Sequence, residues 1–121
     1  MSFIDGFVLA VPTANKQAFR DQATFAAKVF IEHGALRVIE CWGEEVTEGE
    51  KTDFLRAVQA KDDETVMFSW IEWPSRAARD AGNDKVANDP RMQPDAKEQR
   101  HFDGTRMIYG GFSPLLDVRA T

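Results

Sequence analysis

The segment Glu64 to Pro74, reading E-T-V-M-F-S-W-I-E-W-P, limits what this chain can fold into more than any other. β-Branched and aromatic side chains crowd it and Pro74 closes it, which predicts a central β-strand. Side chains alternate across a strand, so Val66, Phe68 and Trp70 share one face while Thr65, Met67, Ser69, Ile71 and Trp73 share the other. Both sets are largely apolar, and both need a cover. The chain's own helices supply one. At 121 residues little chain is left for the second, so a partner subunit or a ligand is expected there.

That length suits a single domain over residues 1–121, large enough to bury a core without staples. Hydrophobic residues make up 43% and charged residues 29%, the balance of a folded globular protein rather than a disordered one. The net charge is -5 and the pI is near 5.0, and the sequence shows no Lys/Arg cluster. Neither nucleic acid nor an anionic membrane is therefore expected as a partner. Cys41 is the sole cysteine, which excludes an intrachain disulfide and a cysteine-based metal site and fits a reducing compartment. The first residues, M-S-F-I-D-G, lack a basic region followed by an apolar run, and no segment approaches a membrane span, so a cytoplasmic location is expected.

Phe3 to Pro12 reads as the first strand, with Phe3, Asp5, Phe7, Leu9 and Val11 alternating against Ile4, Gly6, Val8 and Ala10. Thr13 or Asn15 is expected to cap a helix over Asn15 to His33, whose apolar positions Phe19, Ala23, Ala26, Ala27 and Phe30 keep to one side. Gly34 ends it in the left-handed conformation. Ala35 to Val46 alternates again as the second strand, and the acidic stretch Glu44 to Asp53 reads as an exposed loop. Phe54 to Ala60 fits either a short strand or a helical turn. After the central strand, Ser75 caps a second helix reaching toward Ala87, weakened in its middle by Gly82 and Asn83 and ended by Asp89-Pro90. Gln93 to His101 is expected to be a loop with a helical turn, and Asp103-Gly104 a turn before the last strand, Arg106 to Leu116.

The order β-α-β-β-α-β predicts an α+β, ferredoxin-like fold, a four-stranded antiparallel sheet with two helices on one face. Either of the two alternating sets can form the uncovered face, and one such set is Asp5, Phe7, Leu9, Val38, Glu40, Trp42, Met67, Ser69, Ile71, Met107 and Tyr109. So apolar a face calls for a symmetric homodimer, sheet against sheet, which a charge at Met67 or Ile71 would dissociate or unfold.

Several blocks in the same order carry a resemblance across almost the whole chain. D-G-F-V-L-A-V-P from Asp5, E-H-G-A-L-R-V-I-E-C-W-G from Glu32, F-S-W-I-E-W-P-S from Phe68, D-P-R-M from Asp89 and F-D-G-T-R-M-I-Y-G-G-F from Phe102 closely resemble the YbaA-like family of uncharacterised bacterial proteins. The resemblance implies the dimeric α/β-barrel superfamily, in which two ferredoxin-like subunits join their sheets. It implies no activity. More distant members of that superfamily include cofactor-independent quinol monooxygenases, haem-degrading enzymes, chlorite dismutase-like proteins and stress-responsive barrel proteins, and no catalytic motif of theirs matches this sequence.

Asp5 and Glu40 are the candidate catalytic carboxylates, because each interrupts an otherwise apolar strand face. A structural role would pair each with Arg37, Arg79, Arg91 or Arg106, or leave it at a wet subunit rim. A functional role would make it a raised-pKa acid or base in a pocket with Trp42, Trp70, Tyr109 and Phe7 as ligand-binding aromatics. His33 is the third candidate base, although its place beside Gly34 suits helix capping better, and His101 in a polar stretch suits solvation. Neither histidine has a partner at metal-ligand spacing or an apolar setting for haem, so no metal and no cofactor is expected. Cys41 on a strand reads as a buried small hydrophobe, and Gly110-Gly111 as a bulge or a close backbone approach rather than a phosphate loop. Arg76, Arg79, Asp80 and Lys85 read as a solvated helix face. Two functions follow. One is a dimeric barrel that binds a small apolar or aromatic ligand or serves a structural or stress role. The other is a cofactor-independent oxygenase or isomerase acting on an aromatic or quinol-like substrate, with Asp5 or Glu40 as base.

Overall fold

The computed structural model describes residues 2–92 and 101–121. β1 (Phe3–Pro12), α1 (Lys16–Glu32), β2 (Arg37–Trp42), the single turn α2 (Phe54–Ala57), β3 (Glu64–Trp73), α3 (Arg76–Asn88) and β4 (Ile108–Phe112) follow in that order. The strands form one antiparallel sheet, β2-β3-β1-β4, which is the ferredoxin-like arrangement. The β-branched and aromatic segment is indeed its interior: β3 pairs with β2 on one side and with β1 along ten positions, from Phe3 opposite Trp73 to Pro12 opposite Glu64, on the other.

Several local expectations change. α1 has no side-chain cap, because Asn15 instead donates to the His101 carbonyl at 3.0 Å and the Thr13 hydroxyl meets that of Thr65 at 2.8 Å. β2 is shorter than Ala35 to Val46, and β4 is shorter than Arg106 to Leu116, since Gly104–Arg106 forms a 3-10 turn and the chain leaves the sheet after Phe112. The Phe54 segment is a helical turn, capped by the Asp53 carboxylate accepting from the Arg56 amide at 2.7 Å. Of the expected loop at Gln93 to His101, all but His101 lies outside the described residues. Gly34 takes φ 109° as its role in ending α1 requires, and Ser75 caps α3 by accepting from Ala78. Gly82 does not break α3. A Cβ there would overlap the Trp73 ring and lie 2.8 Å from the His33 carbonyl oxygen, so glycine lets α3 sit directly on the core.

The assignment of the two sheet faces is the main correction. The set named for the uncovered face is the one the helices cover: Phe3, Ile71 and Trp73 pack with Phe30 and Val38, and Leu9, Val11 and Met67 pack with Phe19 and Ala23. In-register pairing explains it, since Asp5 opposes Ile71, Phe7 opposes Ser69 and Glu40 opposes Ser69 from the other side, which ties these residues to the Trp73 face. The open face instead presents Ile4, Val8, Phe68, Trp70, Ile108 and Phe112 around the opposed pair Gly6 and Gly110. Met67 and Ile71 are therefore core residues of the protomer, at 4% and 5% exposure.

Candidate active site

Asp5, His33 and Glu40, the three ionisable candidates, end up in different surroundings. Asp5 is buried and fully partnered: its carboxylate accepts from Trp73 Nε1 at 3.0 Å, Arg79 Nε at 3.1 Å and Asn83 Nδ2 at 3.3 Å. Three donors leave it little capacity for a substrate, and its position is that of a clasp between β1, the end of β3 and α3. Arg79 is thereby corrected from a solvated helix residue to one turned inward, over the Phe3 ring at 4.7 Å. Gly111 is the close approach expected of the glycine pair, because a Cβ there would collide with the Arg79 guanidinium and stand 2.8 Å from the Phe3 ring. His33 caps α1, and its Nε2 lies 2.9 Å from Asp89, which Arg91 also holds, so His33 serves the join between α1 and the end of α3.

Glu40 differs. The arginines that could have paired with it are engaged elsewhere, Arg37 with Glu72, Arg79 with Asp5, Arg91 with Asp89 and Arg106 with Glu64. Its one hydrogen-bond partner among the described residues is Ser69, whose Oγ donates to Glu40 Oε2 at 2.5 Å. Ser69 is itself buried at 3% exposure, directly across the β2–β3 ladder. Water reaches Glu40 through an opening, yet the protein packed around the carboxyl disfavours its charged form. That desolvation raises its pKa above the ordinary value, opposed only by the Ser69 hydroxyl.

The opening is a cleft of about 710 Å³ between α1 and the β2 side of the sheet. Val38, Trp42 and Met67 form its apolar floor beside Glu40, and Phe19, Ala23 and Ile31 of α1 form the facing wall. A volume of this order suits a small organic molecule, and a few polar groups among apolar walls are the usual makeup of such sites. Lys16 stands at one end, its Nζ 5.2 Å from the centroid of the Trp42 ring. Sequence reasoning grouped Glu40, Trp42, Met67 and Ser69 correctly on one face. It missed Ser69 as a partner and Lys16, Arg20 and Lys28 at the mouth, for which the spacing of four and eight residues along α1 is the available signal.

Of the aromatic residues named from the sequence, Phe7, Trp70 and Tyr109 line one depression on the open sheet face, and Trp42 lies apart from them. Trp42 lies in the cleft, whereas Trp70 is on the open sheet face, donating from Nε1 to Glu72 at 2.9 Å and meeting the Phe68 ring edge-on. The parity of the two strands separates them: Trp42 opposes Met67, a residue of the helix-covered set. Phe7 and Tyr109 stack at 6.4 Å by the β4 edge, with Tyr109 largely exposed. Cys41 is half-buried rather than buried, next to Phe68 and Val66 on the open side. Among the described residues no cluster of His, Cys, Asp and Glu is arranged to hold a metal ion, and no helix is long and apolar enough to cross a membrane.

A family model described as a protein of unknown function (DUF1428) matches residues 2–104. The uncharacterized protein YbaA of Escherichia coli strain K12 is 52% identical over 117 residues, spanning 97% of this chain and 99% of that protein. The YbaA protein of Shigella flexneri matches to the same extent. Among solved structures, a mutant of SnoaB, a cofactor-independent oxygenase from Streptomyces nogalater, superposes with a TM-score of 0.50 over 98% of this chain and 96% of that one. Identity there is 16%, so the likeness is one of fold.

Proposed function

Because the chain belongs to the DUF1428 family of proteins of unknown function, we propose from the site itself that it binds a small apolar or aromatic molecule in the α1–sheet cleft, as a homodimer. The observation that carries this reading is Glu40: a carboxyl with a raised pKa and a single hydroxyl partner, set in an apolar cleft that water can enter. Asp5, by contrast, is held by a cation and two further donors within the protomer. A ligand hydroxyl can hydrogen-bond to Glu40 while the ring lies against Trp42. Homodimerisation is supported by the open face, where Phe68 and Phe112 are 46% and 61% exposed and the following tail presents Leu115 and Leu116.

The same carboxyl favours a second reading, a cofactor-independent oxygenase or isomerase acting on an aromatic or quinol-like substrate. Glu40 ionises closer to neutrality than an ordinary glutamate, which makes it a stronger base toward a phenolic or enolisable proton. The step would move one proton from the substrate to Glu40 and leave the substrate anion in the cleft. SnoaB, which shares the fold, is described as a cofactor-independent oxygenase; at that distance the parallel adds only plausibility of scaffold.

Calorimetric titration with naphthol, a planar apolar ring with one hydroxyl, tests the binding site. Wild type is expected to bind it saturably, and Thr24→Trp, at an exposed position on the mouth, is expected to abolish binding with the helical content intact. Unchanged binding by Thr24→Trp together with loss in Trp70→Ala would move the ligand to the open sheet face and overturn the reading.

A further inference from the structure

The mouth of the cleft is unlike its floor. α1 carries Lys16, Arg20 and Lys28 in one stripe, at intervals of four and eight residues, and all three border the opening. Acidic residues outnumber basic ones, 20 to 15, and Arg37, Arg79, Arg91 and Arg106 each hold a carboxylate. Yet among the described residues none of the three cations at the mouth forms an ion pair. Glu32, the acidic residue at the same rim, is already taken by Arg91 at 2.5 Å. In a chain with surplus acid, three neighbouring cations without carboxylates around one opening form a local positive field, and a cleft with low-dielectric walls focuses it. Lys16, although exposed, lies over Trp42, which puts its charge at the edge of the ring-binding surface.

We propose that the cleft is selective for planar organic anions, with the anionic group held at the mouth by Lys16, Arg20 and Lys28 and the opposite, uncharged hydroxyl end directed to Glu40. This rests on the cleft being the ligand site, as read above. The two ends cannot exchange roles. An anion on the floor would face the Glu40 carboxyl in an apolar setting, where like charges repel most strongly. At the mouth the anion keeps part of its hydration while gaining three cations, so its desolvation costs little. The class is thus an aryl ring with a carboxylate, sulfonate or phosphate at one end and a neutral hydrogen-bond donor at the other.

Three probes separate the contributions: naphthol, naphthoate, and a hydroxynaphthoate with its hydroxyl and carboxylate at opposite ends. Each is titrated calorimetrically into wild type and into the combined Arg20→Gln, Lys28→Gln variant, which leaves Lys16 over Trp42, with circular dichroism to verify folding. The hydroxynaphthoate should bind wild type most tightly, and the variant should lose about tenfold or more for both acids while naphthol stays within about twofold. Added salt should weaken the acids alone. Equal affinity for naphthol and the acids, or an unaltered affinity of the variant for the acids, overturns the anion selectivity while leaving the cleft as a ligand site. Failure of all three probes to bind wild type removes both.

Discussion

Asp5→Ala is expected to cost about 3–5 kcal/mol of folding free energy, the range for removing one member of a buried ion pair. The reason is what the substitution leaves behind. Arg79 would remain largely enclosed with its Nε unpaired, and the Trp73 indole N–H and the Asn83 amide would lose their acceptor as well. Trp73 is wholly buried, so no water stands ready to replace the carboxylate. A typical domain is stable by roughly 5–15 kcal/mol, so the loss should bring the variant near its unfolding transition. Urea unfolding followed by tryptophan fluorescence measures it, and a loss below about 1 kcal/mol would contradict the clasp assigned to Asp5.

The second large effect concerns assembly. Wild-type protein at micromolar concentration should scatter light as twice 13.6 kDa, and Trp70→Asp should scatter as the single chain with its circular dichroism retained. Trp70 stands on β3 beside Phe68 and across from Gly6 and Ile39, in the middle of the apolar open face, so a carboxylate there would have to be desolvated on association. A weakening of about a thousandfold or more is expected, since burying an unpaired charge costs several kcal/mol. A monomeric wild type, or a Trp70→Asp variant that remains dimeric, would contradict a sheet-to-sheet dimer. Charges at Met67 or Ile71 do not make the same test, because those side chains lie inside the protomer and their replacement unfolds it.

The reason for that difference also marks how far the sequence could be read. Period-two alternation sorted β1, β2 and β3 into the correct pairs of sets and put Glu40, Trp42, Met67 and Ser69 together. Which set met the helices was not legible from it, because both sets are apolar. The decision was made instead by contacts distant in sequence: Trp73 under Gly82, and Asp5 with Arg79 across 74 positions. The same non-local pairing answered which carboxylate was structural. Both Asp5 and Glu40 carried the same signature, a charge within an apolar run, and only the placement of Arg79 on the inner side of α3 distinguishes them. Trp42 and Trp70 were joined into one pocket for want of the β2–β3 register, which sets them on opposite sides of the sheet.

The most direct test is the titration of Glu40 itself, followed by carbon NMR of its carboxyl group and paired with the stability of Glu40→Gln. An acid whose folded-state pKa is raised favours folding most below its unfolded value, here 4.5, and that advantage is lost as pH rises through the folded pKa. Wild type should therefore fall in stability relative to Glu40→Gln from about pH 4.5 upward. At neutral pH the variant should be as stable as wild type or more so, while losing affinity for naphthol. A Glu40 midpoint at or below the ordinary glutamate value, or a Glu40→Gln variant that is destabilised at neutral pH and still binds naphthol as wild type does, would contradict Glu40 as the ligand-facing group of the cleft.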